Sequence, residues 1–412
     1  MNGIIYRKGS SVLAADIQAK VFAANPLYTA EVSYGTTGYT DNYDATTAQL
    51  NAELAGVTLD DVHFCTVHSQ NGYSNDYCNI IDVDAPNTNY GNFYQSYPLS
   101  NSDTWYANMD RGDDMFEVAM VLYHIDKAGD WVVSLGYTVD EVDIDPHGSY
   151  LNGAWTDLKS SGAYADQIRF GVGGVDLAED QVVIWHEYGH HVNYSLHPTH
   201  SYFFQHVSDL SVSSVMEGFS DYFAGSYKKT INGSDPYALA EWGLAIYYIS
   251  NPTKRRRTDT NNTYPDDYGS DGHLNGQIFS SALMDVENEI GRFKTNKILL
   301  SSIAQWGNTP TLPSVGENFI SAADNLYDDD DLCDCIINFK AHGLTQSSYP
   351  QYYVEDETIQ SSITYDDVCA VTFEDVTIDN SPNINVVVDP KSGETTIVKL
   401  FEVKLGSTLE IK

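Results

Sequence analysis

Trp185-His186-Glu187-Tyr188-Gly189-His190-His191 is the stretch whose reading decides the rest of this chain. His186 and His190 are four residues apart, so on a helix their imidazoles stack one turn apart on one face. Rings so placed can both reach one tetrahedral ion about 2.0–2.1 Å from each nitrogen, with Glu187 beside them as a general base. Further along, Met216-Glu217-Gly218-Phe219-Ser220-Asp221-Tyr222 has helical character and sets Glu217 and Asp221 on one face. Glu217 can supply the third ligand, and Asp221 can accept the outer N–H of a ligating histidine and fix its tautomer, leaving the fourth position for water. Glu-x-x-x-Asp alone is ordinarily a solvated acidic face; downstream of His-Glu-x-x-His the metal reading prevails. In Asp271-Gly272-His273-Leu274-Asn275-Gly276 a polar turn sets His273 just ahead of a helix. There it can donate to an oxyanion developing on an attacked carbonyl, although alone it reads as a loop histidine.

Capping chemistry gives the expected helix starts. Asp176 with Glu179 is expected to open the metal-bearing helix, and Ser314 with Glu317 another. A helix is expected from about Met115 to Leu135, with His124 as a core histidine. Another is expected over 275–290, where Ile278, Ala282, Leu283, Val286 and Ile290 form one stripe. Ahead of these the chain runs in short, aromatic, β-like pieces. The acidic run Asp328–Asp331 and the polar stretch Gln346–Tyr353 suggest a boundary, beyond which Ile384, Val386 and Val388 alternate before a Pro390–Gly393 turn. The expected class is α+β: a β-rich N-terminal lobe over 1–175, a helical lobe over 176–345 with the zinc site, and a small all-β module over 353–412.

With 58 acidic and 21 basic residues the formal charge is −37, a field that repels phosphate backbones; Lys254 to Arg257 form its one basic cluster. Nucleic acid is thereby excluded as a partner. No apolar run approaches the roughly 20 residues needed to span a bilayer. Of the five cysteines, Cys65 could staple to Cys78 across a hairpin, and Cys333 or Cys335 is expected to bridge to Cys369, with one thiol left unassigned.

His186-Glu187-x-x-His190, Glu217-Gly-Phe-Ser-Asp221 and His273-x-Asn275-Gly, in that order, resemble the thermolysin-like and fungalysin-like metallopeptidases. Gly173 to Asp180, Arg256-Arg257-Thr258-Asp259 and Tyr264-Pro265 extend the likeness to fungalysin-type bacterial relatives, over roughly Asn25 to Tyr327. The resemblance implies a zincin-type, two-lobed zinc endopeptidase, exported or on the cell surface, monomeric, acting on protein or peptide substrates. It implies too that Arg256 or Arg257 is a second oxyanion donor. Calcium commonly braces such enzymes, but no Asp-x-Asp-x-Asp-Gly loop locates a site. A tyrosine that assists the oxyanion in thermolysin relatives has two candidates, Tyr194 and Tyr202. Members usually carry an inhibitory propeptide, and this chain resembles the mature part alone. From about Val376 to Ile411 the tail weakly resembles C-terminal β modules of proteins exported by Bacteroidetes-type bacteria. The competing expectation is an adhesive or binding protein built on a degenerate peptidase domain.

Overall fold

Ile17, Ala19 and Val21 are buried while Asp16 and Gln18, alternating with them, are exposed, the period-two pattern of a strand covered on one face. They form β1 (Ala15–Phe22), which pairs antiparallel with β2 (Leu54–Val67), Ile17 facing Leu59 and Val21 facing Ala55. Five further strands complete a seven-stranded sheet: β3 (Gln70–Ser74), β4 (Cys78–Ile80), β5 (Val142–Ser149), β6 (Trp155–Asp157) and β7 (Gln167–Gly171), in the order β1-β2-β3-β4-β5-β7-β6. The β4–β5 and β5–β7 pairs are parallel and the others antiparallel. This computed structural model describes residues 15–42, 44–67, 70–81, 109–113, 115–149, 155–157, 167–197, 209–365, 368–378, 385–397, 401–403 and 408–411.

The helix expected near Met115 is α1 (Met115–Ser134), which lies against β1 through Phe116, edge-on to Phe22 with ring centroids 5.2 Å apart. His124 is fully buried with Nε2 2.9 Å from the Phe22 carbonyl oxygen, and burial lowers its pKa to about 4, as suits a neutral core histidine.

The helix carrying the His-Glu-x-x-His run is α2 (Gln181–Leu196), and its cap differs from expectation. Asp176 and Glu179 bracket a short 3₁₀ turn, Leu177–Glu179, in which the Asp176 side chain makes no capping bond. Asp180 caps α2 instead, accepting from the Val182 N–H at 3.0 Å. Glu179 is unavailable for a capping box because its carboxylate is turned to Arg111, 2.9 Å away. Next come α3 (Leu210–Lys228) and α4 (Gly272–Ile290); the latter takes His273 into its first turn rather than starting after it. Trp185 of α2 stacks on Tyr227 of α3 at 3.9 Å, fixing the two helices side by side.

The chain divides into two compact units, Met1–Thr260 with Gly269–Ser281, and Asn261–Tyr268 with Ala282–Lys412. In the second, α5 (Arg292–Ser302), α6 (Leu312–Leu326) and α7 (Asp329–Ala341) form a helical layer in which Phe319 stacks on Phe339 at 4.5 Å. The α6 capping box is Thr311 with Ser314, not Ser314 with Glu317; Glu317 accepts from Gln346 N and Ser347 Oγ instead.

The remaining strands are β8 (Gln351–Glu355), β9 (Thr358–Ile359), β10 (Ile363–Tyr365), β11 (Ala370–Glu374), β12 (Val376–Ile378), β13 (Asn385–Val388), β14 (Thr395–Ile397), β15 (Phe401–Val403) and β16 (Thr408–Ile411). Every pairing among them is parallel, and each strand pairs with the one three places on, so the chain winds through three stacked coils with three faces. Like residues stack between coils: Val354 on Phe373, Ile359 on Ile378, Tyr365 on Val388. Their side chains fill one apolar core. The Pro390–Gly393 turn passes the chain from one coil to the next. A Cys333–Cys369 disulfide ties α7 to the segment entering β11; closing a loop of 36 residues constrains the unfolded chain by roughly 3–4 kcal/mol. Cys335 is buried and unbridged, and the Cys65–Cys78 staple falls on a Cys65 side chain outside the described residues. Among the described residues no helix is long and apolar enough to cross a membrane.

Candidate metal centre

Two close helix approaches build the site. A Cβ on Gly276 of α4 would lie 2.7 Å from the Gly218 backbone nitrogen on α3, and one on Gly218 would lie 2.6 Å from the Gly276 carbonyl oxygen. Only paired glycines let these backbones touch. At Gly189 of α2 a Cβ would meet Ser220 Cα of α3 at 3.1 Å, so this crossing is tight too. The residues beside these contacts are therefore forced together: Glu217 next to Gly218, His186 and His190 flanking Gly189. Replacing Gly276 by Ala is expected to wedge α3 from α4 and cost about 1–3 kcal/mol. Bound metal and a thermal melt should fall together, and an unaltered melt would refute the tight-crossing account.

His186 Nε2 and His190 Nε2 are 3.2 Å apart, Glu217 Oε2 lies 3.2 Å from the first and Glu217 Oε1 3.7 Å from the second. Tetrahedral ligands on bonds of 2.0–2.1 Å are separated by roughly 3.3–3.4 Å, so this triangle has the size of one face of such a shell. All three residues are largely buried. Asp221 Oδ1 lies 2.9 Å from His186 Nδ1, the outer nitrogen, as carboxylate partners of metal-binding histidines do.

The protonation pattern suits a site competing with protons for a cation. Burial lowers the His190 pKa to about 3, leaving a neutral imidazole with a lone pair. Burial opposes charge on His186 as well, but Asp221 and Glu217 outweigh it and raise the pKa to about 9. Burial would raise Glu217, yet the histidines around it hold its carboxyl well below the usual range. A divalent ion would take the place of the His186 proton between the same acceptors.

Arg256 and Arg257 separate clearly. Arg256 Nη1 lies 3.2 Å from Glu217 Oε2 and 2.9 Å from Asp221 Oδ1, with its side chain 12% exposed. Arg257 turns away to Asp235 and Asp259, each 2.7 Å distant, at 39% exposure. His273 Nε2 stands 3.5 Å from Glu217 Oε2 with its side chain 59% exposed. Asn275 pins the turn before it, exchanging bonds with both N–H and C=O of Gly269. Glu187 is 5% exposed, adjacent to His186 on α2. Tyr194 is 6% exposed near the end of α2, whereas Tyr202 lies outside the described residues. Beside Arg256 a cavity of about 280 Å³ is lined by Leu27, Val32, Leu239, Ala245, Tyr248 and Ile249 among others, but not by the three triangle residues.

No protein-family model and no curated protein sequence matches the chain. Among solved structures, the precursor of protealysin, a metalloproteinase from Serratia proteamaculans, is similar over 68% of this chain and 90% of its own, with 12% identity and a TM-score of 0.42. A likeness that distant bears on neither chemistry nor substrate.

Proposed function

We propose that this chain is a zinc-dependent endopeptidase whose metal is held by His186, His190 and Glu217 and whose general base is Glu187, the site being carried by the helical segment 176–345. The observation that carries the reading is the donor triangle, sized and composed for a four-coordinate ion with one open position. Two imidazoles and one carboxylate are a donor set suited to zinc and short of the four protein ligands of a purely structural site.

A metal bound there supplies a polarised carbonyl and an acidified water near neutral pH. Glu187 accepts the proton that the attacking water gives up and returns it to the leaving nitrogen. Asp221 holds His186 in the tautomer that leaves Nε2 a donor of its lone pair. His273 and Arg256, both close to Glu217 Oε2, stabilise negative charge developing on the carbonyl oxygen. Export to the exterior or the cell surface fits the disulfide, which needs an oxidising compartment to form.

Full-length protein stripped with a chelator should stop cleaving casein and recover on addition of Zn²⁺. Absence of cleavage in the zinc-loaded, folded protein would overturn the reading in favour of a binding protein on a retired peptidase scaffold.

A further inference from the structure

Away from the metal triangle, three more buried residues converge from distant parts of the chain. Glu117 sits in the first turn of α1, His147 on β5 and Asp176 just before the 3₁₀ turn, at 3%, 6% and 8% exposure. One ligand atom from each lies within 4.8 Å of the others, with His147 Nε2 3.5 Å from Glu117 Oε2. The placement of His147 is built in: the register of β5 against β7 slips between Asp145 and Ser149, and the His147 N–H is held at 3.0 Å by Asp145 Oδ1. Among the described residues, only this group and the His186–His190–Glu217 triangle bring three such donors together.

Several acidic side chains crowd one buried cation beside this group. Arg111, fully buried, is engaged by Glu179 at 2.9 Å, Asp41 at 3.1 Å and Asp44 at 3.4 Å. Glu117 and Asp176 add two carboxylates to the same neighbourhood. Buried charged groups are paired or coordinate metals.

We infer that Glu117, His147 and Asp176 form a second divalent-cation site, distinct from the catalytic triangle and built for a transition-type ion such as Zn²⁺ or Mn²⁺. The imidazole sets the class: calcium and magnesium take oxygen ligands, whereas one nitrogen with two carboxylates suits zinc and its neighbours. The three ligands join α1, β5 and the approach to α2, so an ion there clamps the sheet to the two helices that frame it.

The test uses the full chain with the first site removed. A His186→Ala/His190→Ala variant, stripped with chelator and shown folded by circular dichroism, is dialysed against Zn²⁺ or Mn²⁺ and its bound metal measured. About one equivalent should remain, against about two in the wild type. Adding Asp176→Asn should weaken that binding by more than about tenfold, the lower end of what losing an outer-shell partner costs. A folded double variant that retains neither ion overturns the site. So does a retained equivalent indifferent to Asp176→Asn, or one displaced by Ca²⁺ at equal concentration. If Asp176→Asn does not fold, the melting temperature of the double variant with and without Zn²⁺ decides, and an unchanged value refutes the site.

Discussion

Replacing Glu187 by Gln should lower peptide hydrolysis by about 10²–10⁴-fold while leaving the bound metal in place. The side chain is 5% exposed and follows His186 directly on α2, so an isosteric amide keeps the volume and polarity of the site. What the amide cannot do is accept a proton from water and hand it to a departing amine. The ligand triangle is untouched, so metal content measured on the same sample should equal that of the wild type. Equal turnover by the two proteins would remove Glu187 from the mechanism. Lost turnover accompanied by lost metal would make it a structural residue instead.

The second large effect is a contrast between neighbours. Arg256→Ala removes a buried cation that contacts both Glu217 and Asp221 and leaves those two carboxylates with the His186 imidazole as their shared partner. Breaking a buried pair by deleting one partner costs about 3–5 kcal/mol, and metal-free protein should show that loss in urea melts. Metal should restore part of it by taking up the freed Glu217 charge. Arg257→Ala breaks two pairs that are more than a third exposed, which are worth about 0–1 kcal/mol each after solvent screening. Similar melts for both variants would contradict the burial difference on which the assignment of Arg256 rests.

The convergence of the candidate triangle was legible because helical spacing is a strong constraint: four residues apart means one face, so His186 with His190 and Glu217 with Asp221 could be paired before any fold was known. Helix starts were less so. Asp176, Glu179 and Asp180 are all plausible caps in one short run, and the choice fell to Asp180 because Glu179 is spent on Arg111 and Trp242. Alternation announced strands after residue 350, yet it describes parallel and antiparallel partners equally well, so the coil arrangement was beyond it. Arg256 and Arg257 are adjacent and identical in type; only the Asp235 and Asp259 side chains that claim Arg257 tell them apart. Gly189, Gly218 and Gly276 carried a readable signal, since glycine inside a helix is unfavourable unless something must come close. The Glu117–His147–Asp176 group had none, its members being about thirty residues apart in segments of three kinds.

A peptidase of the kind proposed would be surrounded by copies of itself, and the Cys333–Cys369 bond changes what self-cleavage would mean for this chain. Between those cysteines lie the exposed corners Asp356, Glu357, Gln360 and Ser361, where a protease could bind without first unwinding a ladder. A cut at any of them breaks the backbone but frees no fragment, because the sulfur bridge still joins the two pieces. Such a nicked molecule gains only the mass of one water and comes apart into two pieces only when it is reduced.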